Sequence, residues 1–581
     1  MSTEKSPKLS PVEGFKAESN FLRGDIAKEL VDGNDDFGKS SVQLLKQHGT
    51  YQQDNRDVRT AARESGSKGK AFTMMLRTRV PGGKLTAEQV LVELMISDEL
   101  GDGTMRLTSR QAIQHHGILK TDLKETIQRI HAAKLSTLGA CGDVNRNVMC
   151  CPAPYADGLH AQLQKLTDEL SDHFLPQSNA YYEIWLKDMA TNNKELVGSG
   201  GSNGEQEFEP IYGKTYLPRK FKTAVGFPHD NCIDIYTNDL GYLAVVENGR
   251  IIGYNVLVGG GMGTTPAQKK TFPALAKRMA FVTPEQAVLV GEAVVKVQRD
   301  FGNREDRKIA RLKYLIADWG VEKFRAKVEE YYGAKLEDCN PADVHGFNDH
   351  MGWDAQGDGR WFYGWNIENG RIKDDEKSQL KSALREICKS FNPGLRITSH
   401  QSLLITDLEE AAKGELENIL KKHQVRTSDQ FSTVRRWSIA CVAWPTCGLA
   451  ITESERALPD IMDELEVELA KLGLDSEKFT VRMTGCPNGC ARPYNADIGL
   501  VGKAKDTYTV YLGGRLLGNR LGWVYLERCK RPDLVPELTK VFMLYKDQRQ
   551  ADETFGDFCD RIGCESLLEL TGNTAEAVAE N

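Results

Sequence analysis

RLTSRQ at 106–111 returns as RITSHQ at 396–401, and each copy is followed by an apolar or mixed strand. The echo extends outward. RVPGGKL at 79–85 is matched by NIENGRI at 366–372, each a strand that ends in a Gly turn before a helix. Farther along, NDLG at 238–241 precedes GYNVLVGGG at 253–261, and NADIG at 495–499 precedes TVYLGG at 509–514. The chain therefore reads as A–B–A′–B′, a duplicated pair made of one small α+β unit and one larger α/β unit. The repeat distance is far beyond the roughly 20–50 residues of solenoids. Duplicated pairs pack about a pseudo-two-fold axis, and ligands favour the interface between the halves.

Turn signals and periodicity set the expected boundaries. Residues 1–66 are polar, with PVEGFKAESNFLRGDIAKEL as one helix, and read as an arm. Unit A is 67–137: strand FTMMLRTRV, a helix at 86–99, strand TMRLTS and a helix at 123–133. Unit B is 138–340, with strands at FKTAVGF, CIDIYT, YLAVVE and GYNVLVG, and a Gly/Ser/Glu-rich exposed loop at 193–210. A′ is 341–427 and B′ is 428–581.

At 581 residues the chain has room for several domains of roughly 100–200 residues each. Its 40% hydrophobic and 27% charged content is that of an ordinary globular protein. No apolar run of about 18 residues exists to span a membrane. The start, MSTEKSPKLSPVEG, has no apolar secretory core, so a cytoplasmic location is expected. Thirteen cysteines in such a chain point to metal ligation rather than disulfides. The net charge of -7 disfavours a dedicated nucleic-acid binder.

Four of those cysteines form two close pairs: Cys441 and Cys447 in ACVAWPTCGLA, then Cys486 and Cys490 in TGCPNGCARP. Two pairs of thiolates can hold one compact soft-metal centre, either a [4Fe–4S] cubane or zinc. Zinc knuckles usually use C-x2-4-C, which C-x5-C fits poorly. Both pairs lie in Pro/Gly turns, unlike cysteines that serve as small core hydrophobes.

Basic residues form the second signal. Arg77 and Arg79 alternate along a strand-like run, Arg106 and Arg110 frame the repeat motif, and Arg146 lies in DVNRNVMCC. Lys220 and Lys222 alternate in LPRKFKTAV, while Arg304, Lys308 and Arg311 fit one helical face at i, i+4, i+7. Singly, each is an ordinary surface residue. As a set they suggest a pocket for a polyanion or an oxyanion substrate. VGGGMG at 258–263 matches neither a P-loop nor a dinucleotide fingerprint, and a tight turn accounts for it equally well. No flavin or nicotinamide motif occurs, so a redox role requires a separate electron donor.

The cysteine spacing, TGCPNGC, NRNVMC, LPRKFK and the duplicated RLTSRQ element together resemble the sirohaem-containing sulfite/nitrite reductase family. The resemblance runs from HGTYQQDNRDVR to GDFCDRIG, nearly the whole chain. LPRKFKTAV, PTCGLAITESERALP and TGCPNGCARP bring it closest to the assimilatory sulfite reductase haemoproteins, ferredoxin-type or NADPH-type β subunit. The resemblance implies an α+β fold of two ferredoxin-like half-domains and two larger α/β lobes about a pseudo-two-fold axis. It further implies sirohaem joined to a [4Fe–4S] cluster through a shared thiolate. Cys441, Cys447, Cys486 and Cys490 would then ligate the cluster, with Cys490 also axial to the sirohaem iron. Arg77, Arg146, Lys220 and Lys222 would surround bound sulfite. Arg106, Arg110, Arg304, Arg307, Lys308 and Arg311 would meet the sirohaem carboxylates, and His116 would be a contact of the cofactor. The activity implied is six-electron reduction of sulfite to sulfide, with ammonia-forming nitrite reduction as the alternative and a zinc-stabilised binding protein as a remote one. GGGMGTTPAQKKTFPALAKR and MGWDAQGDGRWFYG favour ferredoxin over an NADPH-dependent flavoprotein subunit as donor. Gly448 departs from the proline of many relatives, and the adjacent Cys150 and Cys151 are left without a role.

Overall fold

The computed structural model describes residues 8–66, 69–177, 183–189, 191, 193–199, 209–265 and 268–573. Its architecture is the duplication drawn twice in hydrogen bonds. In one large lobe the sheet runs Met149–Cys150, Thr223–Gly226, Leu240–Glu247, Arg250–Val258, Lys277–Val282. The first three strands are parallel and the last two antiparallel. The other large lobe repeats that order and polarity with Ser438–Ala440, Val481–Thr484, Ile498–Ala504, Thr507–Leu512 and Trp523–Lys530. Each sheet buries one extensive apolar core.

The two small units exchange strands. Lys84–Thr86, from the first, pairs with Gly394–Ile397 of the second. Arg371–Ile372, from the second, pairs with Met105–Leu107 of the first. These are the strands that follow the RVPGGKL and NIENGRI turns. Both turns need left-handed backbone: Gly82 and Gly83 lie at φ 58° and 75°, Asn369 and Gly370 at 53° and 74°. The exchange gives the small units a shared apolar core containing Leu85, Met105, Ile372 and Ile397.

Several expectations are corrected. The single N-terminal helix is two, Pro11–Glu18 and Ile26–Glu29, separated by left-handed Asn20, Phe21 and Leu22. This segment is no free arm, because Lys16 is buried with Glu13, and Thr50–Asp54 adds a strand to the first small sheet. CIDIYT is a turn leading into the short helix Ile235–Thr237 rather than a strand; Asp234 is left-handed at φ 50° and breaks the run. Arg304, Lys308 and Arg311 share no helical face. Asn303 Oδ1 accepts from the 305 and 306 amides and Asp306 Oδ1 from the 308 amide, closing a tight turn at Arg307–Ile309. The expected loop at 193–210 contains the strand Lys194–Ser199, paired with Glu183–Lys187; 200–208 fall outside the described residues. Among the described residues, no helix is long and apolar enough to cross a membrane.

The pseudo-two-fold axis passes through a buried ion pair. Asp234 and Arg492 occupy equivalent places before the short helices Ile235–Thr237 and Pro493–Asn495, both with left-handed backbone. Arg492 Nε meets Asp234 Oδ2 at 2.5 Å, and Arg482 Nη1 meets the same oxygen at 2.7 Å. Arg492 also donates to the carbonyls of Ser109 (2.9 Å) and Ser399 (3.2 Å), one serine from each copy of the repeat motif. Burial alone would raise the Asp234 carboxyl, but Arg482 and Arg492 hold it below its ordinary value. Removing one member of such a pair strands the other charge. Asp234→Ala is therefore expected to cost about 3–5 kcal/mol, measured by urea unfolding. A loss under about 1 kcal/mol would show the pair to be dispensable.

Candidate metal and anion site

Cys441 follows Ser438–Ala440, whose register is fixed from two sides. The Ala440 amide donates to Gln401 of the second repeat motif (3.2 Å), and the Ala440 carbonyl accepts from Arg106 (2.8 Å). Arg106 and Arg371, on paired strands, clamp the two oxygens of Glu455 at 2.6 Å each. The Glu455 amide in turn donates to the Cys441 carbonyl at 3.1 Å. Cys486 and Cys490 lie on the Pro-Asn-Gly turn after Val481–Thr484, where Gly489 is left-handed. A Cβ at Gly489 would come within about 3.1 Å of the Met262 carbonyl, so the turn is packed against the other lobe's VGGGMG loop. That loop is a tight turn and not an anion cradle. The amides of Gly259, Gly260 and Gly261 are spent on Asp239, Asn238 and Ala274.

The four thiols gather around one centre. Cys441, Cys447 and Cys486 each feel the charge of Cys490. Burial pushes all three upward, Cys486 to about 11, so a metal must displace their protons. Two donors already point at sulfur: the Gly485 amide at Cys441 (3.3 Å) and Asn488 Nδ2 at Cys486 (3.4 Å). Among the described residues, no three of the four sulfurs lie mutually within 4.8 Å. One zinc with bonds of about 2.3 Å would hold them about 3.8 Å apart.

On the other side of the Cys490 turn lies a group of cations without anions. Arg146 and Arg77 both reach the Ala140 carbonyl, at 3.4 and 3.5 Å, and Arg146 Nε also holds the Gly142 carbonyl at 2.8 Å. Arg110 donates to Asn238 (2.9 Å) and the Thr223 carbonyl (2.7 Å). Among the described residues, none of Arg77, Arg110, Arg146, Lys220 and Lys222 is paired with a carboxylate, and Arg77 Nε and Arg110 Nε are buried without partners. Burial, with Arg219 and Arg311 close by, pushes Lys220 down to about 7. Burial, Arg110 and Lys220 hold Lys222 well below the ordinary lysine range. Cys490 acts on both lysines in the opposite sense, which places the metal turn beside the cations. Such a group is costly without a bound anion. A metallated tetrapyrrole bearing carboxylates and a small oxyanion both fit that deficit.

The other expected cofactor residues divide. Arg311 borders the cation group but is engaged by Asp239 and the Gly260 carbonyl. Arg106 positions the Cys441 strand. Arg304 is committed to buried Glu13 (2.5 Å) and the Tyr216 carbonyl, and Arg307 to Asp143 (2.7 and 3.0 Å). Lys308 is exposed. These three serve lobe packing or solvent, because the turn at Arg307–Ile309 separates their directions. His116 is buried with both ring nitrogens unpartnered, and burial beside Arg371 and Arg106 keeps it neutral. It lines a different space, a cavity of about 750 Å³ with Arg371, Trp444 and Glu455, which is not the meeting place of the cations. Two neighbours escaped the sequence reading. Arg219 acts on both Lys220 and Tyr51, and the Tyr51 phenol faces Arg146 and Arg77. Arg219 stood in LPRKFK itself; nothing in HGTYQQD singled out Tyr51.

Comparison with known proteins places these features in one family. A model described as "Nitrite and sulphite reductase 4Fe-4S domain" matches residues 165–336 and 433–578, the second range holding all four cysteines. A "Nitrite/Sulfite reductase ferredoxin-like half domain" matches 66–133 and 354–423. The "Sulfite reductase [NADPH] hemoprotein beta-component" of Geobacillus thermodenitrificans is 44% identical over 97% of both chains. The "Sulfite reductase [ferredoxin]" of Synechococcus elongatus is 43% identical over 97% of this chain and 91% of its own. The solved NirA protein of Mycobacterium tuberculosis superposes with a TM-score of 0.77 at 26% identity, covering 96% of this chain and 98% of its own.

The reassignment of Arg304 is testable. Arg304→Ala should lower unfolding stability by roughly 1–3 kcal/mol, because Glu13 loses a partner, while iron and visible absorbance per chain stay unchanged. Arg110→Ala should do the reverse. Loss of chromophore in Arg304→Ala would return that residue to the cofactor.

Proposed function

The chain belongs to the nitrite and sulfite reductase family, and on that premise we propose that it reduces sulfite to sulfide as an assimilatory sulfite reductase. The observation that carries the reading is the group of five cations without carboxylate partners beside the Cys490 turn. Cys441, Cys447, Cys486 and Cys490 would hold the [4Fe–4S] cluster, with Cys490 also facing the sirohaem iron. When bound, these groups supply an open coordination position and electrons one at a time.

The side chains account for the rest. Sulfite must shed three oxygens as water while taking up six electrons, so negative charge builds repeatedly on departing oxygen. Arg77 and Arg146 orient the oxyanion through planar N–H donors. Lys220 and Lys222 deliver protons from Nζ. Burial and neighbouring cations lower the affinity of both ammonium groups for the proton, which favours its release to a departing oxygen. Arg110 is directed at carboxylates of the tetrapyrrole, since its protein partners are all neutral. Nitrite reduction is the weaker reading, because a paired-lysine site suits sulfite, which sheds three oxygens, better than nitrite, which sheds two.

Electrons arrive from a separate protein. We favour ferredoxin, on the sequence stretches already quoted, over a flavoprotein subunit; both kinds of haemoprotein occur among the relatives. Reconstitution with each donor decides it: faster sulfide formation with ferredoxin supports the choice, and activity only with an NADPH-dependent flavoprotein refutes it. The cytoplasm is the proposed location.

Lys220→Ala and Lys222→Ala should each slow sulfite turnover by about 10²–10⁴-fold with chromophore content retained. Equal loss of chromophore would make the lysines structural. The sign of the pH effect follows from Lys220 titrating near 7 in the folded protein: its charge is present below that pH and lost above it. KM for sulfite should therefore rise between about pH 6 and 8, and Lys220→Arg, charged throughout, should flatten that rise. An unaltered slope in Lys220→Arg would contradict the assignment.

A further inference from the structure

The pseudo-two-fold axis maps the cysteine centre onto a second place in the molecule. Gln401 accepts the amide of Ala440, just before Cys441; its image Gln111 accepts the amide of Cys150 (3.1 Å), just before Cys151. Ser109 Oγ donates to the Cys490 carbonyl (3.1 Å); its image Ser399 donates to the Cys232 carbonyl. Asp497 and Asp239, seven residues beyond Cys490 and Cys232, accept the equivalent amides of Thr480 (2.9 Å) and Lys222 (2.9 Å). Cys151 and Cys232 are thus the images of Cys441 and Cys490, held by the same backbone bonds.

What surrounds them differs from the first centre. Cys151, Asp230, Cys232 and His350 are all buried, and one ligand atom of each lies within 4.8 Å of every other. Asp230 Oδ2 is 3.1 Å from Cys151 Sγ and 2.9 Å from His350 Nε2, and that nitrogen is 3.7 Å from the same sulfur. The other carboxylate oxygen, Oδ1, is already fixed by the amides of Cys232 (3.2 Å) and Asn348 (3.1 Å), which turns Oδ2 toward the sulfurs. Two thiols, an imidazole and a carboxylate converging from three segments of the chain make a compact four-donor set of borderline-soft ligands. Bonds of about 2.0–2.3 Å to one ion place neighbouring ligand atoms about 3.3–3.8 Å apart. The group is close to that size and too tight for a cubane.

We propose that Cys151, Asp230, Cys232 and His350 bind a single zinc ion, a structural site distinct from the four-cysteine centre. With four protein ligands and no exposed face it is closed and therefore not catalytic. Its place in the fold gives it a purpose. Cys151 directly follows the first strand of one large sheet, Asp230 and Cys232 lie on the turn after the neighbouring strand, and His350 comes from residues 341–351, which have no regular structure. An ion there pins that connection, which leads into the second small unit, to the lobe it leaves.

The test uses the native holoenzyme. Metal analysis should find one zinc per chain beyond the cluster and haem iron. Zinc-edge X-ray absorption should report two sulfurs at about 2.3 Å and two nitrogen or oxygen neighbours at about 2.0–2.1 Å. His350→Ala and Asp230→Asn should lose zinc and several degrees of Tm while keeping iron. If those variants fail to fold, chelator-stripped native protein given zinc chloride alone should regain the metal and the lost Tm. Native protein without zinc that also gains no Tm from added zinc would overturn the proposal, leaving a hydrogen-bonded thiol–carboxylate–imidazole cluster. Zinc lacking sulfur neighbours, or retained in full by His350→Ala and Cys232→Ser, would overturn it equally.

Discussion

A carboxylate and a guanidinium at equivalent positions of two duplicated lobes meet on the pseudo-two-fold axis, and the organisation of the site depends on that contact. A strictly symmetric duplication would set like residues against each other there, and like charges in a buried place repel strongly. Asp234 facing Arg492 turns the same geometry into attraction. Because Arg492 lies two residues beyond Cys490 and also binds Ser109 and Ser399, the pair ties both lobes and both small units to the turn that carries the last cysteine. The position of the metal centre is set by the same residues that hold the halves together.

The asymmetry has a chemical consequence. One large lobe supplies thiols, the other supplies Arg146, Lys220 and Lys222, the first small unit adds Arg77 and Arg110, and the Cys490 turn is the boundary. Lysine and arginine side chains deprived of water and of carboxylates raise the energy of the empty protein. An anionic cofactor and an anionic substrate bound there, as proposed, would recover that energy. The elements that carry these groups are strongly restrained. Arg106, Arg371 and Glu455 lock the Cys441 strand through the exchanged strands of the small units, and the glycine loop of one lobe seats the Pro-Asn-Gly turn of the other.

Much of this was legible in the sequence, for physical reasons that can be named. Duplication shows as repeated motifs because RLTSRQ and RITSHQ do the same work twice, each ending in a left-handed glutamine that holds a strand amide of its lobe. The paired cysteines and the basic quartet were visible because their chemistry admits few substitutes. Other features depended on distant partners. Arg304 and Lys308 matched helical spacing, but Asn303 and Asp306 side chains closed a tight turn instead. CIDIYT alternated like a strand, yet Asp234 is drawn out of it by Arg482 and Arg492, more than 240 residues away. Cys151 looked like packing because Asp230 and His350 lie 79 and 199 residues from it.

In the proposed arrangement one turn joins the metal centre to the anion site, with Cys490 serving both. Mössbauer spectroscopy of isotopically enriched enzyme, native and Cys490→Ser, tests it most directly. The account predicts that in native protein the cluster irons share the magnetic state of the haem iron, and that Cys490→Ser abolishes this coupling. Uncoupled spectra from native protein, or coupling that survives in Cys490→Ser, would contradict it.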